Sequence, residues 1–327
     1  MNWRRLPVWW PRAWLTRQRG WRHRIAVTLA GAVSALSMAP LHIWPALMLG
    51  LCVLLWSFDG ARRTARPMRS AFLRGFLFGM GYFLAGTYWV VFAFLTRGNG
   101  FELVAPLAMP PFAALLAVFW GAAGALYVAV AQRTEWRVLV FAAAIALLEW
   151  VRGHLFGGLP WNLPGYTWEA GGAISQTAAW FGIYGLSFLT LLVLAAPAVV
   201  LGARFRVTRA VPVLAALGIM LVLVFTGALR LFGGQLDYHP DVRLRIVQSA
   251  ITQQEKWGQG GDSLARSRYL ALTEEPGLED VTHVLWPEGA LPIFMLRDGA
   301  TLSMIGERLD GGQVLMAGIN RLAENDD

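Results

Sequence analysis

The 327-residue chain has few charged residues and only one cysteine. Asp, Glu, Lys and Arg make up 15% of it, whereas soluble domains carry about 25%. Hydrophobic residues account for 56%, a balance that excludes an ordinary soluble domain and favours a membrane protein. A single cysteine excludes an internal disulfide, so cysteine usage does not indicate the redox compartment. Because Cys52 lies inside an apolar run, we expect it to be a small buried hydrophobic residue.

Acidic residues are scarce in the first part of the chain but outnumber basic residues in the second. Residues 1–239 contain 20 arginines and only six acidic residues, whereas residues 240–327 contain eight basic and 14 acidic residues. This asymmetry predicts a basic membrane part followed by an acidic part in water. The arginines lie in short loops between apolar runs, which fits orientation in a bilayer and argues against a nucleic-acid partner.

Seven apolar runs predict a multi-pass α-helical membrane bundle over residues 25–232, after a basic cytoplasmic N-terminus, residues 1–24. The runs are 25–39, 43–58, 71–96, 104–131, 138–152, 174–201 and 210–232. A bilayer core of about 30 Å needs about 20 helical residues, so three runs are short and the count holds to within one. The first run could be a cleaved signal peptide, but the second begins within five residues, which favours a retained helix.

The arginine positions predict the orientation of these spans. With the N-terminus in the cytoplasm, 17 arginines fall in inside segments, and only Arg97, Arg152 and Arg230 fall outside. The positive-inside rule therefore favours a cytoplasmic N-terminus. An odd number of spans then places the residues after 232 on the opposite side of the membrane.

Three features of the membrane part predict contacts beyond those of single membrane-spanning helices. The loop 152–173 is rich in Gly, Pro and aromatic residues, so we expect it to pack at the membrane surface, as a lipid entrance or as an ordinary connection. Glu149 and Arg152, three residues apart on one helix face, are expected to pair near the membrane interface, because isolated charges are costly inside the bilayer. Small residues within 75–81 and 121–125 predict close packing between helices.

The composition changes after residue 239. Val242, Leu244 and Ile246 alternate with arginines and predict a strand with one buried face. Further strands are predicted over residues 281–286 and 314–319.

Helices are predicted between these strands. Asp262 is expected to cap the first, with Ala265 and Tyr269 on its buried face, and Asp298 is expected to cap the second. The β-α-β-α-β order predicts an α/β layer structure over residues 240–327.

Glu288 is the one carboxylate that we interpret as catalytic. It follows the predicted strand 281–286 and lies between Pro287 and Gly289, which end a strand and fix an unusual backbone path. A single Glu at a strand end is commonly only a solvated or salt-bridged acid, so the interpretation depends on the rest of the chain. The five histidines show no metal-ligand spacing, and no phosphate loop or serine-nucleophile elbow occurs. We therefore expect no metal and no cofactor.

Three stretches together resemble the apolipoprotein N-acyltransferase family. They are Gly165-Tyr166, then Arg245-Ile246-Val247-Gln248 leading through Gln253 to Lys256-Trp257, and finally Trp286-Pro287-Glu288. The family also has a membrane bundle followed by a domain outside the cytoplasm, as this chain is predicted to have. The resemblance therefore extends over nearly the whole chain.

The resemblance implies a bacterial inner-membrane enzyme with a periplasmic C-terminal domain of nitrilase-like αββα sandwich fold. It implies transfer of an acyl chain from a phospholipid to the diacylglyceryl-cysteine of an apolipoprotein, through a thioester and a Glu-Lys-Cys triad. Glu288 matches the general base, and Trp257 matches an aromatic position beside the lipid. A Glu base suits a thiol only where burial makes it more basic and a cation stabilises the thiolate.

The chain departs from the family pattern after Glu288. The family's Lys and Cys follow the Glu, but the 39 residues after Glu288 contain neither. Lys256 belongs to the Lys-Trp motif and is not the missing amine, and Ala250 stands where relatives more often have a polar residue. We therefore expect a C-terminally truncated, partial nitrilase-like domain and an inactive chain. A non-enzymatic membrane scaffold and another nitrilase-like amidase or acyltransferase stay open as alternatives, whereas no feature specifically supports a transporter.

Overall fold

The computed structural model describes residues 11–17, 20–95, 103–132, 134–201, 207–234 and 238–320. The chain divides into two compact units, Met1–Gly234 and Gln235–Asp327. Several arginines used to predict the orientation lie outside the described residues, namely Arg4, Arg5, Arg19, Arg97, Arg133, Arg204 and Arg206.

The first unit is built from helices. They are α1 Pro11–Arg17, α2 Trp21–Ser34, α3 Trp44–Ala61, α4 Pro67–Gly86, α5 Val90–Leu95, α6 Ala105–Val130, α7 Arg137–His154, α8 Ala173–Gln176, α9 Ala178–Ala195 and α10 Val207–Gly233. Their buried residues form one apolar core, to which α3, α4 and α6 each contribute several fully buried side chains.

Five helical segments in the described part of the chain are long and apolar enough to cross a membrane. They are Trp44–Ala61, Ala105–Val130, Arg137–Gly157, Ala178–Val199 and Val207–Gly233. The helix α2 has 14 residues, about 21 Å against a core of about 30 Å. The helix α4 has 20 residues but is not among the five. The number of about seven spans therefore stays a prediction.

Glycines allow α4 to pack closely against its neighbours, as predicted. A Cβ atom on Gly75 would collide with the carbonyl of Trp120 in α6, and one on Gly81 would collide with the carbonyl of Thr28 in α2. The Phe78 ring stacks on Trp120 at a centroid distance of 5.3 Å. The interpretation of these small residues as helix-packing positions is confirmed.

The second unit contains a three-stranded parallel sheet in the order β1 Leu244–Ile246, β2 His283–Trp286 and β3 Val314–Ala317. The helices α11 Gln253–Trp257 and α12 Gly261–Thr273 lie between β1 and β2 in the chain, and α13 Gly299–Gly306 lies between β2 and β3. The predicted α/β order is confirmed. Parallel pairing places the carboxyl ends of all three strands at one edge of the sheet.

The core of this unit lies on one face of the sheet. Val284 and Trp286 of β2 are buried in one cluster with Ala265 and Tyr269 of α12 and Ile305 of α13. The Tyr269 and Trp286 rings lie 5.0 Å apart between centroids. Both longer helices of this unit therefore cover the same face.

The prediction of the buried face of β1 is wrong. Leu244 and Ile246, which we expected to be buried, are 55% and 76% exposed. Arg245 points the other way, and its guanidinium donates to the carbonyls of Thr273 and Glu275 at 2.7 and 2.6 Å. Thr273 is the last residue of α12 and Glu275 follows it closely, at a helix end where cations are favoured. This contact decides which face of β1 turns inward.

One of the two predicted helix caps is confirmed. The Asp298 carboxylate accepts a hydrogen bond from the Thr301 amide at 3.1 Å at the start of α13. Asp262 is not a cap, because α12 already begins at Gly261. The N-cap residue of α12 is Gly260, with φ +77°. The Asp262 carboxylate instead lies 3.8 Å from Arg266, one helical turn further along.

Candidate active site

Glu288 lies at the carboxyl edge of the sheet, two residues after the central strand β2. Gly289 has φ +61°, a conformation that favours glycine. Its amide donates to the carbonyl of Gly318, which directly follows β3, at 3.1 Å. The turn that carries Glu288 is therefore fixed to the end of the neighbouring strand. Ligand and catalytic groups of α/β sheets commonly lie at this edge.

Gly318 allows the chain after β3 to pass beside this carboxylate. A Cβ atom at Gly318 would lie 2.5 Å from the Cα atom of Glu288. Any side chain at position 318 would therefore displace Glu288 or the end of β3.

The short helix α11 follows β1 and begins with a capping box. The Thr252 hydroxyl accepts from the Glu255 amide at 3.2 Å, and the Thr252 amide donates to the Glu255 carboxylate at 2.9 Å. The Thr252 hydroxyl also donates to this carboxylate at 2.8 Å. The hydrogen bonds from the Thr252 amide and hydroxyl stabilise the ionised carboxylate and so lower the pKa of Glu255.

Lys256 connects this helix to the turn that carries Glu288. Its Nζ donates a hydrogen bond to the carbonyl of Gly289. Sequence reasoning assigned Lys256 only to the Lys-Trp motif and missed this contact, because the two residues are 33 positions apart. The lysine thereby fixes the backbone of the residue next to Glu288.

Trp257 ends α11 and is 65% exposed. Its indole nitrogen donates to the Gln253 side-chain oxygen at 3.0 Å, which orients the ring. A large exposed indole can supply apolar contact area to a ligand. The structure thus brings the Lys256-Trp257 pair to the same sheet edge as Glu288, while the lipid-contacting role of Trp257 stays a prediction.

The Glu288 side chain is exposed and makes no hydrogen bond or ion pair with another described residue. An exposed carboxylate on a fixed turn can accept a proton from a group that approaches it. The burial expected for a base that activates a thiol is not supplied within this unit. Cys52 is buried in α3 of the first unit, so its interpretation as a core residue is confirmed.

A buried ion pair organises the loop after α7 in the first unit. The side chains of Glu149 and Arg152 form a salt bridge, and each is only 1% exposed. The Trp120 indole donates to Glu149 at 2.5 Å, and Arg152 donates to the carbonyls of Leu159 and Trp161, the latter at 2.8 Å. The predicted pairing is confirmed, and it fixes the backbone of the loop.

This loop closes one side of a cavity of about 340 Å³. Trp89, Tyr166 and Trp168 line it, together with His42 and Asn162. Tyr166 is 42% exposed, so the cavity opens to the surface beside an aromatic wall. Such a lining suits an apolar ligand with a polar end.

Comparison with known proteins identifies the family. The model of the apolipoprotein N-acyltransferase N-terminal domain matches residues 30–196. The chain belongs to the apolipoprotein N-acyltransferase family. A protein of that name from Caulobacter vibrioides is 41% identical over 307 residues, which are 92% of this chain and 57% of the relative.

Further relatives of the same name are from Rhodopseudomonas palustris and Bradyrhizobium diazoefficiens. They are 34% and 33% identical, over 93% and 91% of this chain. The chain spans 58% and 57% of their lengths. The domain match of this apolipoprotein N-acyltransferase family member covers α3 to α9 of the helical unit.

No group of three or more His, Cys, Asp or Glu side chains suited to a metal ion occurs within the described residues.

Proposed function

We propose that the protein carrying this sequence moves an acyl chain from a phospholipid to the N-terminal diacylglyceryl-cysteine of apolipoproteins. The observation that carries this proposal is the 41% identity over 92% of the chain to a relative named apolipoprotein N-acyltransferase. A match of that length extends through both units, so it does not reflect apolar helices alone.

Two half-reactions make up the proposed transfer. In the first, a base removes the proton of a thiol, and the sulfur attacks the ester carbonyl of the phospholipid. The lysophospholipid leaves as its oxygen takes a proton, and a thioester remains. In the second, the α-amino group of the apolipoprotein attacks the thioester, an amide forms and the thiol is restored.

Glu288 is the proposed general base in both half-reactions. Its support is the fixed turn at the carboxyl edge of the sheet, where the Gly289 carbonyl accepts from Lys256 and the Gly289 amide donates to Gly318. A base held on a rigid turn keeps its position through proton transfer. The thiol that the family resemblance implies is not Cys52, which is buried in α3.

The second unit is proposed to belong to a nitrilase-like αββα sandwich outside the cytoplasm. Its support is the sheet face opposite α12 and α13, where Leu244, Ile246, Val314 and Met316 are all at least 44% exposed. An apolar sheet face of this kind packs against a second sheet in sandwich folds. The periplasmic location rests on the arginine distribution, and protection from protease added to sealed inverted inner-membrane vesicles would test it.

Acyl transfer by the full-length product of the gene that encodes this chain tests the function. The purified protein is incubated with a phospholipid labelled in its acyl chain and a diacylglyceryl-cysteine peptide. We expect the label in an amide on the peptide. Label released as free fatty acid or moved to another lipid would favour a different nitrilase-like enzyme, and stable protein without turnover would favour a scaffold.

Substitution of Trp257 tests the proposed lipid contact. The variant Trp257→Ala should raise KM for the phospholipid with a smaller change in kcat, because the exposed indole supplies contact area rather than proton transfer. Trp257→Phe should retain most of the affinity. Trp136→Ala removes another exposed indole, from the first unit, and serves as the control. An unchanged KM in Trp257→Ala would contradict the assignment.

A further inference from the structure

A second cavity in the first unit is surrounded by arginines. It measures about 360 Å³, within the range of about 300–1,000 Å³ typical of small-molecule sites. Four separate parts of the chain line it: α1, the end of α3, the α6–α7 connection with the start of α7, and the start of α10. The six arginines in its lining are Arg12, Arg17, Arg62, Arg63, Arg137 and Arg209.

The carboxylates in this arginine cavity do not balance its charge. Among the described residues, the carboxylates of the lining are those of Asp59 and Glu135. Asp59 already pairs with Arg137 at 3.0 Å and accepts from the Tyr127 hydroxyl at 2.8 Å. Glu135 pairs with Arg209 at 3.4 Å. Six guanidinium groups against two carboxylates give the described part of the lining an excess of four positive charges.

Arg62 supplies an independent indication of a ligand. Its Nε is buried and has no hydrogen-bond partner among the described residues. The rest of the guanidinium is fixed, because it lies 5.0 Å over the Tyr127 ring and its Nη2 donates to the Tyr127 carbonyl at 3.4 Å. A buried donor without a partner costs free energy unless a ligand or water accepts from it.

The surroundings of Arg12 reflect the same excess of positive charge. Burial and the nearby Arg137 lower the pKa of Arg12, against the opposing effect of Asp59. An anion in the cavity would relieve this repulsion.

The position of the cavity indicates where its ligand comes from. It lies at the ends of α3, α7 and α10, which are long and apolar enough to cross a membrane. The ends of such helices lie at the level of lipid headgroups. Basic cavities between helix ends are suited to anionic headgroups. The arginines come from segments that the positive-inside rule assigns to one side of the membrane.

We propose that the arginine cavity binds a phosphate group, supplied by the headgroup of an anionic phospholipid in the leaflet at this end of the helices. Guanidinium groups match phosphate oxygens by paired hydrogen bonds. This site belongs to the first unit, whereas Glu288 belongs to the second. It would fix α1, α3, α7 and α10 relative to one another.

Lipid binding to the purified 327-residue chain in detergent tests the proposal. Phosphatidylglycerol, phosphatidylcholine and inorganic phosphate are titrated separately, and native mass spectrometry and the shift in melting temperature report binding. We expect tighter binding of phosphatidylglycerol than of phosphatidylcholine, weakened by added salt. Arg12→Gln and Arg62→Gln should each weaken it by about 10-fold, the loss of one charge-assisted hydrogen bond.

Arg230→Gln is the matched control, because Arg230 lies at the other end of α10 and outside the cavity. It removes the same charge and should leave binding unchanged. Arg12→Lys, which retains the charge, should recover part of the affinity. The melting temperature of each variant without ligand distinguishes a misfolded variant from one that has only lost binding.

Three further outcomes are decisive. Inorganic phosphate could bind in a way that depends on Arg12 and Arg62, without a preference for phosphatidylglycerol among the lipids. This result would support the phosphate site and would show that its ligand is free phosphate and not a lipid headgroup. Equal affinity for phosphatidylglycerol and phosphatidylcholine without phosphate binding would overturn the proposal. An equal loss in Arg230→Gln would also overturn it.

Discussion

Replacing Glu149 with glutamine is expected to destabilise the first unit strongly. The Glu149 carboxylate accepts from the Trp120 indole at 2.5 Å and pairs with Arg152, and both charged side chains are 1% exposed. Glutamine retains an acceptor for the indole but places an uncharged amide against the guanidinium. Arg152 then becomes a buried charge without a counter-ion.

The expected loss follows from that burial. Removing one partner of a buried ion pair costs about 3–5 kcal/mol. Because Arg152 also donates to the carbonyls of Leu159 and Trp161, part of its hydrogen bonding survives in Glu149→Gln. We therefore expect a loss near the lower end, about 3 kcal/mol in the free energy of unfolding.

Unfolding by SDS titration from mixed micelles measures this difference, with tryptophan fluorescence as the signal. Glu135→Gln is the control, because Glu135 and Arg209 are 27% and 22% exposed and their pair is 3.4 Å long. Such a partly exposed pair contributes about 0–1 kcal/mol. If Glu149→Gln costs no more than Glu135→Gln, the Glu149–Arg152 pair does not organise this unit and the reasoning is refuted.

Three further predictions address other parts of the chain. Gly75→Val should destabilise the first unit by about 1–3 kcal/mol in the same titration, because the new side chain meets the Trp120 carbonyl; an unchanged midpoint would contradict the close packing. Because the pKa of Glu255 is lowered from its ordinary value of 4.5, its ionised carboxylate stabilises α11 fully at pH values above 4.5. This stabilisation disappears as the pH falls through the lowered pKa of Glu255. In Thr252→Ala, hydrogen-exchange protection of the α11 amides should lose that pH dependence between about pH 5 and 3; identical profiles would contradict it. Residues 1–327 alone should form no thioester with labelled phospholipid, because Cys52 is buried; a hydroxylamine-labile adduct would contradict this.

The parts of the fold that depend on local patterns could be predicted from the sequence. The apolar run 104–131 corresponds to α6, Ala105–Val130, and the run 210–232 corresponds to α10, Val207–Gly233. The Asp298 cap and the Glu149–Arg152 pair involve residues three positions apart, so helix geometry alone indicates them. Periodicity and short-range spacing carry this information.

The remaining features depend on contacts between distant residues. Arg245 faces inward because carbonyls at the end of α12 accept its hydrogen bonds, so the apolar pattern of β1 predicted the wrong face. Lys256 reaches the turn of Glu288 only once β1 and β2 have paired.

The arginine cavity is a further example, since four segments with individually ordinary arginines form it by coming together. Sequence reasoning used those arginines for orientation alone. The Nε of Arg62, which has no hydrogen-bond partner in the described part of the chain, indicates a ligand only once the unit has packed.

The most direct test of the central proposal is the rate of acyl transfer by Glu288→Gln in the full-length gene product. If Glu288 is the general base, kcat should fall by about 10²–10⁴-fold while phospholipid binding is retained. Glu307→Gln changes another exposed carboxylate of the same unit and should transfer acyl chains at the unmodified rate. Transfer by Glu288→Gln within a few-fold of the rate of Glu307→Gln would contradict the assignment of Glu288.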